Sequence, residues 1–293
     1  MLLLSIIEES GSLKQAAQRV GMSQPRASKS VQEMEELMQQ KLFVRSNRGV
    51  LPTEAGTCVI RHAKLMTYQI SNLQEELGNI KDGTWTKLRI GTIMGAVPIV
   101  TESIRRFLRT HTSASFEILE DTSVELLRLL DQGALDLVVG RSSVSQNPAL
   151  YEVSAFHDEL LTVVANPRHP LVGKKAVELE DLIQSRWIVY TAAMPMRVSL
   201  EHEYRQAGLA FPRTLIETRS AFTTMTLIQC SPNYIALLSA DVAGFFVNFG
   251  IAQILRLQLR SKSEPYEVIT RRSAIPPNVV SDFIAELTSG GQQ

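Results

Sequence analysis

Cysteine is almost missing from this chain: Cys58 and Cys230 are the only two in 293 residues. They are too far apart to suggest a disulfide framework, so a reducing, cytoplasmic setting is expected. An excess of one charge is also missing, since 30 Lys and Arg stand against 30 Asp and Glu. That balance excludes a molecule coated in basic residues for nucleic acid and leaves room only for a local basic surface. No apolar run approaches the roughly 18 residues of a membrane span. The apolar opening Met1 to Ile7 runs into Glu8 and Glu9 without a basic segment or a small-residue cleavage site, so neither export nor a membrane anchor is expected.

Signatures of catalysis are lacking too. His62, His111, His157, His169 and His202 show no metal-ligand spacing. There is no Gly-x-Ser-x-Gly elbow, and Gly91-Thr92-Ile93-Met94-Gly95 lacks the dinucleotide fingerprint. No enzyme, no cofactor and no metal are expected. At 293 residues and 44% hydrophobic content the chain suits two or three globular domains.

The charge that is present is uneven. From Ser10 to Arg48, Lys14, Arg19, Arg26, Lys29, Lys41, Arg45 and Arg48 face only Glu33, Glu35 and Glu36. The apolar spacing is helical from Leu2 to Arg45 and becomes one long Pro-free helix from Thr53 to Ile80. In that helix Val59, Ala63, Met66, Ile70, Leu73, Leu77 and Ile80 alternate steps of four and three, the register of a helix that pairs with another. Homodimerisation through it is expected, with Gly78 and Lys81-Asp82-Gly83-Thr84 ending it in a hinge.

Beyond the hinge, β-branched runs alternate with helical stretches. Strands are expected at 87–91, 116–119, 134–140, 159–165, 187–190, 215–218, 235–238 and 266–270. Helices are expected at 98–108, 124–130, 198–206, 222–230 and 277–287. The run 134–140 reads as buried on both faces, as in a parallel sheet. Two doubly wound α/β lobes with a ligand cleft between them account for this pattern.

The most informative stretch lies near the start. Ser12 is placed to cap a helix whose Leu13, Ala16, Ala17 and Val20 form one apolar face, the two alanines being small enough for a second helix to cross closely. Gly21 ends it. Ser23 is placed to cap the next helix, Pro25 sits in its first turn, and Ala27, Val31, Met34 and Met38 are expected to continue a buried stripe. This is a helix-turn-helix, whose second helix enters the major groove of DNA by its N-terminal residues. Gln24 can pair bidentately with adenine, Arg26 and Lys29 can reach guanine or phosphate, and Ser28 can serve either. Residues Leu42 to Thr53 read as a two-stranded wing with Asn47-Arg48-Gly49 at its tip, placing Arg48 at the minor groove or the backbone.

These residues resemble the DNA-binding domain of LysR-type transcriptional regulators over residues 2 to 56. The likeness is carried by Ala16-Ala17, the run Ser23-Gln24-Pro25-Arg26-Ala27-Ser28, Glu35, Leu42-Phe43-Val44-Arg45, Arg48-Gly49 and Thr53-Glu54-Ala55-Gly56. The wing and the run Leu137 to Arg141 also resemble the branch that regulates sugar and aromatic-acid catabolism. The resemblance implies an all-α winged helix-turn-helix over 1–56, a linker and dimerisation helix with its hinge over 57–84, and a two-lobed effector domain like periplasmic binding proteins over 85–293. Lobe one would span about 85–158 with 264–293, and lobe two about 159–263.

Ser23, Gln24, Pro25, Arg26, Ser28, Lys29, Arg45 and Arg48 then fall at DNA. Met94, Gly95, Thr122, Arg141, Thr191 and Ser220 fall at the effector. Free N–H groups at helix starts together with Arg141 suit a small anion such as a carboxylate, although Thr122 and Ser220 also fit as simple helix caps. The implied partners are double-stranded promoter DNA, a small-molecule effector (an organic acid or a sugar derivative) and further copies of the chain, as a dimer or tetramer.

The sequence departs from the family in two places. The chain begins about five residues late, inside the first helix, and Gln39 stands where a glycine usually precedes the Leu-Phe pair, so the helix before it is expected to run on by a turn. The competing reading is a transporter's solute-binding protein with no DNA function, which the helix-turn-helix speaks against.

Overall fold

The computed structural model describes residues 2–46, 49–82, 87–192, 194–261, 263–272 and 278–289. It divides into two compact units. One holds residues 1–89 with 113–115 and 127–136, and the other holds 90–112, 116–126 and 137–293.

The first unit opens with α1 (Leu2–Ser10), α2 (Leu13–Arg19) and α3 (Gln24–Met38). Ile7, Ala16, Ala17 and Ala27 are fully buried where the three helices meet, so the small residues are what permit the close crossing. Ser12 caps α2 by accepting the Gln15 N–H at 3.4 Å. Gly21 turns the chain at φ +68°, a left-handed conformation natural to glycine. Ser23 occupies the cap position of α3 but makes no capping bond, which leaves its hydroxyl free.

Two details of α3 differ from expectation. Of the expected stripe only Ala27 is fully buried, while Met38 is exposed along with Leu37, because α3 packs by its first half alone. Nor does α3 run on. It stops at Met38 because Gln39 takes the left-handed conformation itself, at φ 52°. That conformation is costly for a residue with a Cβ.

The wing is an antiparallel pair, β1 (Phe43–Ser46) and β2 (Gly49–Pro52), with Phe43 opposite Pro52. Its expected tip contact, Arg48, lies outside the described residues, as does the side chain of Arg45. Helix α4 (Glu54–Asp82) follows at once. Thr53 starts it by accepting the Gly56 N–H at 2.9 Å while its hydroxyl donates to the Lys41 carbonyl at 2.6 Å. A Cβ on Gly56 would lie 1.9 Å from the Leu42 carbonyl oxygen, so only glycine lets α4 start this close to the wing. Glu35 closes the same junction from α3, accepting the Leu42 N–H at 2.9 Å, the Phe43 N–H at 3.3 Å and the Lys41 ammonium at 2.6 Å. Burial disfavours its charge, but these donors outweigh burial and hold the carboxyl below its usual range. Further along α4, the Tyr68 hydroxyl donates to Asp136 at 3.0 Å, and the other oxygen of that carboxylate takes the Arg89 N–H at 2.8 Å.

The rest of the chain runs β3 (Lys87–Thr92), α5 (Val97–Phe107), β4 (Ser115–Glu120), α6 (Ser123–Asp131), β5 (Leu137–Gly140), β6 (Tyr151–His157), β7 (Leu161–Ala165), β8 (Arg186–Val189), α7 (Pro195–Gln206), β9 (Leu215–Glu217), α8 (Ala221–Cys230), β10 (Tyr234–Ser239), α9 (Ala240–Asn248), β11 (Gln253–Leu255), β12 (Tyr266–Arg271) and α10 (Asn278–Ser289). These form two five-stranded sheets, ordered β4-β3-β5-β12-β6 and β11-β7-β10-β8-β9. Both are mixed rather than wholly parallel. β5 is parallel to β3 but antiparallel to β12, and β10 is parallel to β8 but antiparallel to β7. The antiparallel strands enter where the chain crosses from one lobe to the other. β6, β11 and α9 had no counterpart among the expected elements. β6 is an edge strand with six of its seven residues partly or largely exposed, so it carries no burial alternation to read. Lobe one centres on Phe107 and Phe283, edge to face at 5.4 Å, and lobe two on Trp187, whose indole N–H donates to the Tyr204 hydroxyl at 2.7 Å.

Two outcomes follow for the first unit. Gln39→Gly relieves the left-handed strain and should raise unfolding stability by about 1 kcal/mol, whereas Gly56→Ala should lower the melting temperature sharply. Glu35 stabilises the fold while ionised, and that contribution is present above its unfolded value and lost as pH falls through its lower folded value. In denaturant titrations the deficit of Glu35→Gln against the parent should therefore be full at pH 7 and vanish toward pH 3. A deficit independent of pH would contradict this assignment.

Candidate nucleic-acid interface and effector cavity

The N-terminus of α3 presents its side chains to solvent. Ser23, Gln24, Pro25, Arg26, Ser28 and Lys29 are all exposed, while Ala27 among them is buried and anchors the helix. The spacing explains this. Ala27 faces α1 and α2, so the residues on either side of it turn outward in one patch. Lys29 leans toward Glu33 at 3.7 Å, a contact between two exposed groups that competes weakly with other partners. The patch thus offers an amide, a hydroxyl and two cations on one rigid surface, as reading base edges and phosphates requires.

The second unit holds a cavity of about 580 Å³ between its two lobes, within the usual range for small-molecule sites. Lobe one contributes the turn after β3, with Met94 and Gly95, the end of β4 and start of α6, with Glu120 to Val124, and Arg141 just after β5. Lobe two contributes Tyr190, Met194 and Met196 around the start of α7, and Thr218 to Ser220 before α8. Of the expected effector residues, Met94, Gly95, Thr122, Arg141 and Ser220 line this cavity. Thr191 does not, because the wall there is formed by its neighbours Tyr190 and Met194.

The cavity floor is a buried carboxylate. Glu159, on the first crossing between lobes, accepts from the Arg141 guanidinium, the Ser263 hydroxyl on the return crossing, and the Tyr266 hydroxyl at 2.9 Å. Its side chain has no solvent exposure. Glycine is required above it, since a Cβ on Gly95 would lie 2.5 Å from the Tyr266 hydroxyl and 2.8 Å from a Glu159 oxygen. Burial and the Glu159 charge push the Tyr266 hydroxyl pKa far up, and burial with the Glu159 and Glu120 charges does the same to Tyr190. Both remain protonated donors. Tyr190 donates to the Met94 sulfur at 3.1 Å across the cavity.

The groups expected to receive an anion are already engaged. The Thr122 N–H donates to Asp121 at 2.7 Å, the Arg141 backbone N–H to the Ser123 hydroxyl at 3.1 Å, and the Thr223 N–H to the Ser220 hydroxyl at 3.1 Å. Thr122 and Ser220 act as helix caps, the Glu125 N–H meeting the Thr122 hydroxyl at 3.4 Å. Sequence reasoning passed over Glu120, Glu159, Tyr190 and Ser263. Glu159 carries no local pattern, and the groups that hold it lie 18 to 107 residues away. Among the described residues no group of three or more His, Cys, Asp or Glu could hold a metal ion, and no helix is long and apolar enough to cross a membrane.

Comparison with known proteins decides the family. Residues 1–57 match the model for bacterial regulatory helix-turn-helix proteins of the lysR family, and residues 81–292 match the LysR substrate binding domain. The chain belongs to the LysR family. It is 30% identical over 246 residues to the HTH-type transcriptional regulator GbpR of Rhizobium radiobacter, covering 83% of this chain and 81% of that protein. It is 28% identical over 268 residues to GbpR of Azospirillum brasilense, covering 91% and 78%. Its fold is that of full-length CbnR crystallised in complex with its target DNA, with a TM-score of 0.63 at 17% identity over 97% of this chain and 96% of that one. This LysR-type chain is therefore a DNA-binding transcriptional regulator with an effector-binding domain, and the transporter alternative falls away.

Removing one partner of a buried ion pair leaves the other charge uncompensated, at a cost of about 3–5 kcal/mol. Glu159→Ala should accordingly lower the denaturation midpoint of the regulator well below that of a surface control such as Glu178→Ala. Similar midpoints for the two variants would remove Glu159 from its central place.

Proposed function

We propose that this LysR regulator reads promoter DNA through Ser23, Gln24, Pro25, Arg26, Ser28 and Lys29, with the wing residues Arg45 and Arg48 gripping the backbone. A small molecule in the cavity between the lobes adjusts that binding. The division of labour places DNA recognition in 1–56, pairing of chains in 57–84 and sensing in 85–293. The observation that carries this reading is the solvent-facing patch at the start of α3, where an amide, hydroxyls and two cations converge without being spent on the fold.

Pairing of two chains is supported by α4. Ile60 and Ala63 are buried within the first unit, but Met66, Ile70, Leu73 and Leu77 continue the same stripe and are all more than half exposed or at that limit. Such a row of large apolar side chains on a helix suits a second copy of the same helix. Two copies would also present two recognition helices to two half-sites. Coupling to the effector would use β3 and β5, which carry the Tyr68–Asp136–Arg89 hydrogen bonds near their starts and lead into Ile93 and Arg141 of the cavity wall. The ligand shifts DNA binding only if it prefers one lobe arrangement over the other. The reading assigns no reaction to the chain and places it in the cytoplasm with its DNA.

Footprinting on DNA flanking its own gene tests the division. Gln24→Ala should weaken specific binding by about 1–3 kcal/mol without changing the melting temperature. Met194→Trp, which fills the cavity, should keep specific binding and abolish the ligand response. Equal loss of specific binding in both variants would defeat the proposal. Leu73→Glu combined with Leu77→Glu should yield monomers in sedimentation velocity, and an unaltered dimer would exclude α4 as the pairing surface.

A further inference from the structure

Given the reading that α3 enters DNA by its N-terminal end, one further side chain on the helix carries base-reading chemistry. Gln32 lies four residues after Ser28 and eight after Gln24, and all three are exposed. Steps of four keep residues on one flank of a helix, so these three follow one another along its outer side, while Ala27 is buried and Val31 packs beside it on the inner side. Eight residues of helix span about 12 Å, close to the width of the major groove. Helical side chains lean toward the N-terminus, so an amide at position 32 reaches back into the groove that the start of α3 occupies.

The Gln32 amide is oriented before any DNA arrives. Its Nε2 donates to Glu36 Oε1 at 3.0 Å. A carboxylate only accepts, so the amino end is fixed toward Glu36 and the carbonyl oxygen is turned away from it. One N–H is spent on Glu36, which leaves the carbonyl oxygen and the second N–H. That pair matches adenine, the oxygen accepting from N6 and the N–H donating to N7. Guanine presents only acceptors on the same edge, and thymine and cytosine each present a single polar group, so each of these matches half of the amide. Between two exposed side chains one helical turn apart, such a bond adds little to the stability of the helix. Glu36 also opposes binding, because its charge is carried toward the phosphates, and orienting Gln32 is what offsets that cost.

We infer that Gln32 is a second base-reading residue of α3, recognising an adenine at a different base pair from the one met by Gln24. Glu36 is a positioning residue that holds the Gln32 amide for that contact.

The test uses the full-length protein and a library of randomised duplexes, followed by competition binding on the selected site and its single-base variants. The parent should select an adenine whose replacement lowers affinity by between about fivefold and a hundredfold. Gln32→Ala should abolish discrimination at that base pair, keep it elsewhere and leave the melting temperature close to the parent's. Glu36→Ala should weaken discrimination at the same pair yet raise affinity for unrelated duplexes, since it removes a negative charge from beside the phosphates. Adding it to Gln32→Ala should change discrimination no further. If Glu36→Ala raises affinity for every duplex by the same factor, the positioning role is overturned. Discrimination that Gln32→Ala leaves unchanged, or that it loses only at the base pair Gln24→Ala also flattens, overturns the base-reading role. The Gln24→Ala profile separates the two levels of failure. A base pair flattened by Gln24→Ala with none flattened by Gln32→Ala keeps α3 as the reader and removes only Gln32, whereas two unaltered profiles defeat the reading of α3 itself.

Discussion

The sensing half of the molecule depends on the burial of one charge. Glu159 lies on the first strand-to-strand crossing between the lobes, and the groups that neutralise it come from the end of β5, the start of β12 and the return crossing. A carboxylate without solvent must be paired and hydrogen-bonded or it becomes a liability of several kcal/mol, so these three segments are obliged to meet at one point. The meeting point is also the cavity floor. Gly95 follows from it, because no side chain fits between the turn after β3 and the Tyr266–Glu159 contact. The ordering of the site and the joining of the lobes are thus one interaction, which rigidifies the wall that a ligand would touch.

A second crossing contact lies beside it. The His157 ring stacks on Tyr266 and meets Asp241 of α9 at 3.2 Å, while the Ser239 hydroxyl reaches the Gly95 carbonyl at 3.4 Å. Lobe one and lobe two therefore touch through these polar groups and through the contact of the Tyr190 hydroxyl with the Met94 sulfur. Polar contacts fix orientation, and thioether side chains adapt their shape at low cost. That combination suits a site that must both hold its frame and respond to an occupant.

The DNA-reading half rests on steric economy rather than charge. Alanine at positions 16, 17 and 27 brings three helices together, and Gly56 brings α4 against the wing within a distance that no Cβ tolerates. Glu35 ties the end of α3 to the wing by two backbone N–H bonds and Lys41. With the frame held from behind in this way, the residues at the start of α3 need make no contact with the rest of the fold. Their exposure is what leaves them available to bases and phosphates. Gln39 departs from the economical solution. It spends conformational strain to stop α3 where a glycine would do so freely, and helix α3 ends on time because the turn into Leu42 dictates it.

Periodicity and residue type by themselves determined the helix-turn-helix, the wing, the long α4 and most strands of both lobes, because these are set by spacing within a few residues: alanines at helical intervals, Gly21 at a turn, β-branched runs between polar stretches. The same local logic picked out Met94, Gly95, Thr122, Arg141 and Ser220, which line one cavity. Tertiary structure alone decided the mixed sense of the sheets, the edge strand β6, the replacement of Thr191 by Tyr190 and Met194, and the end of α3 at Gln39. It also decided the electrical character of the cavity. Arg141 reads from sequence as a free cation awaiting an anion, yet its partner Glu159 lies 18 residues on, joined to it only when β5 and the crossing to lobe two converge. Pairing across such separations follows from packing and the cost of burying charge, neither of which leaves a periodic trace along the chain.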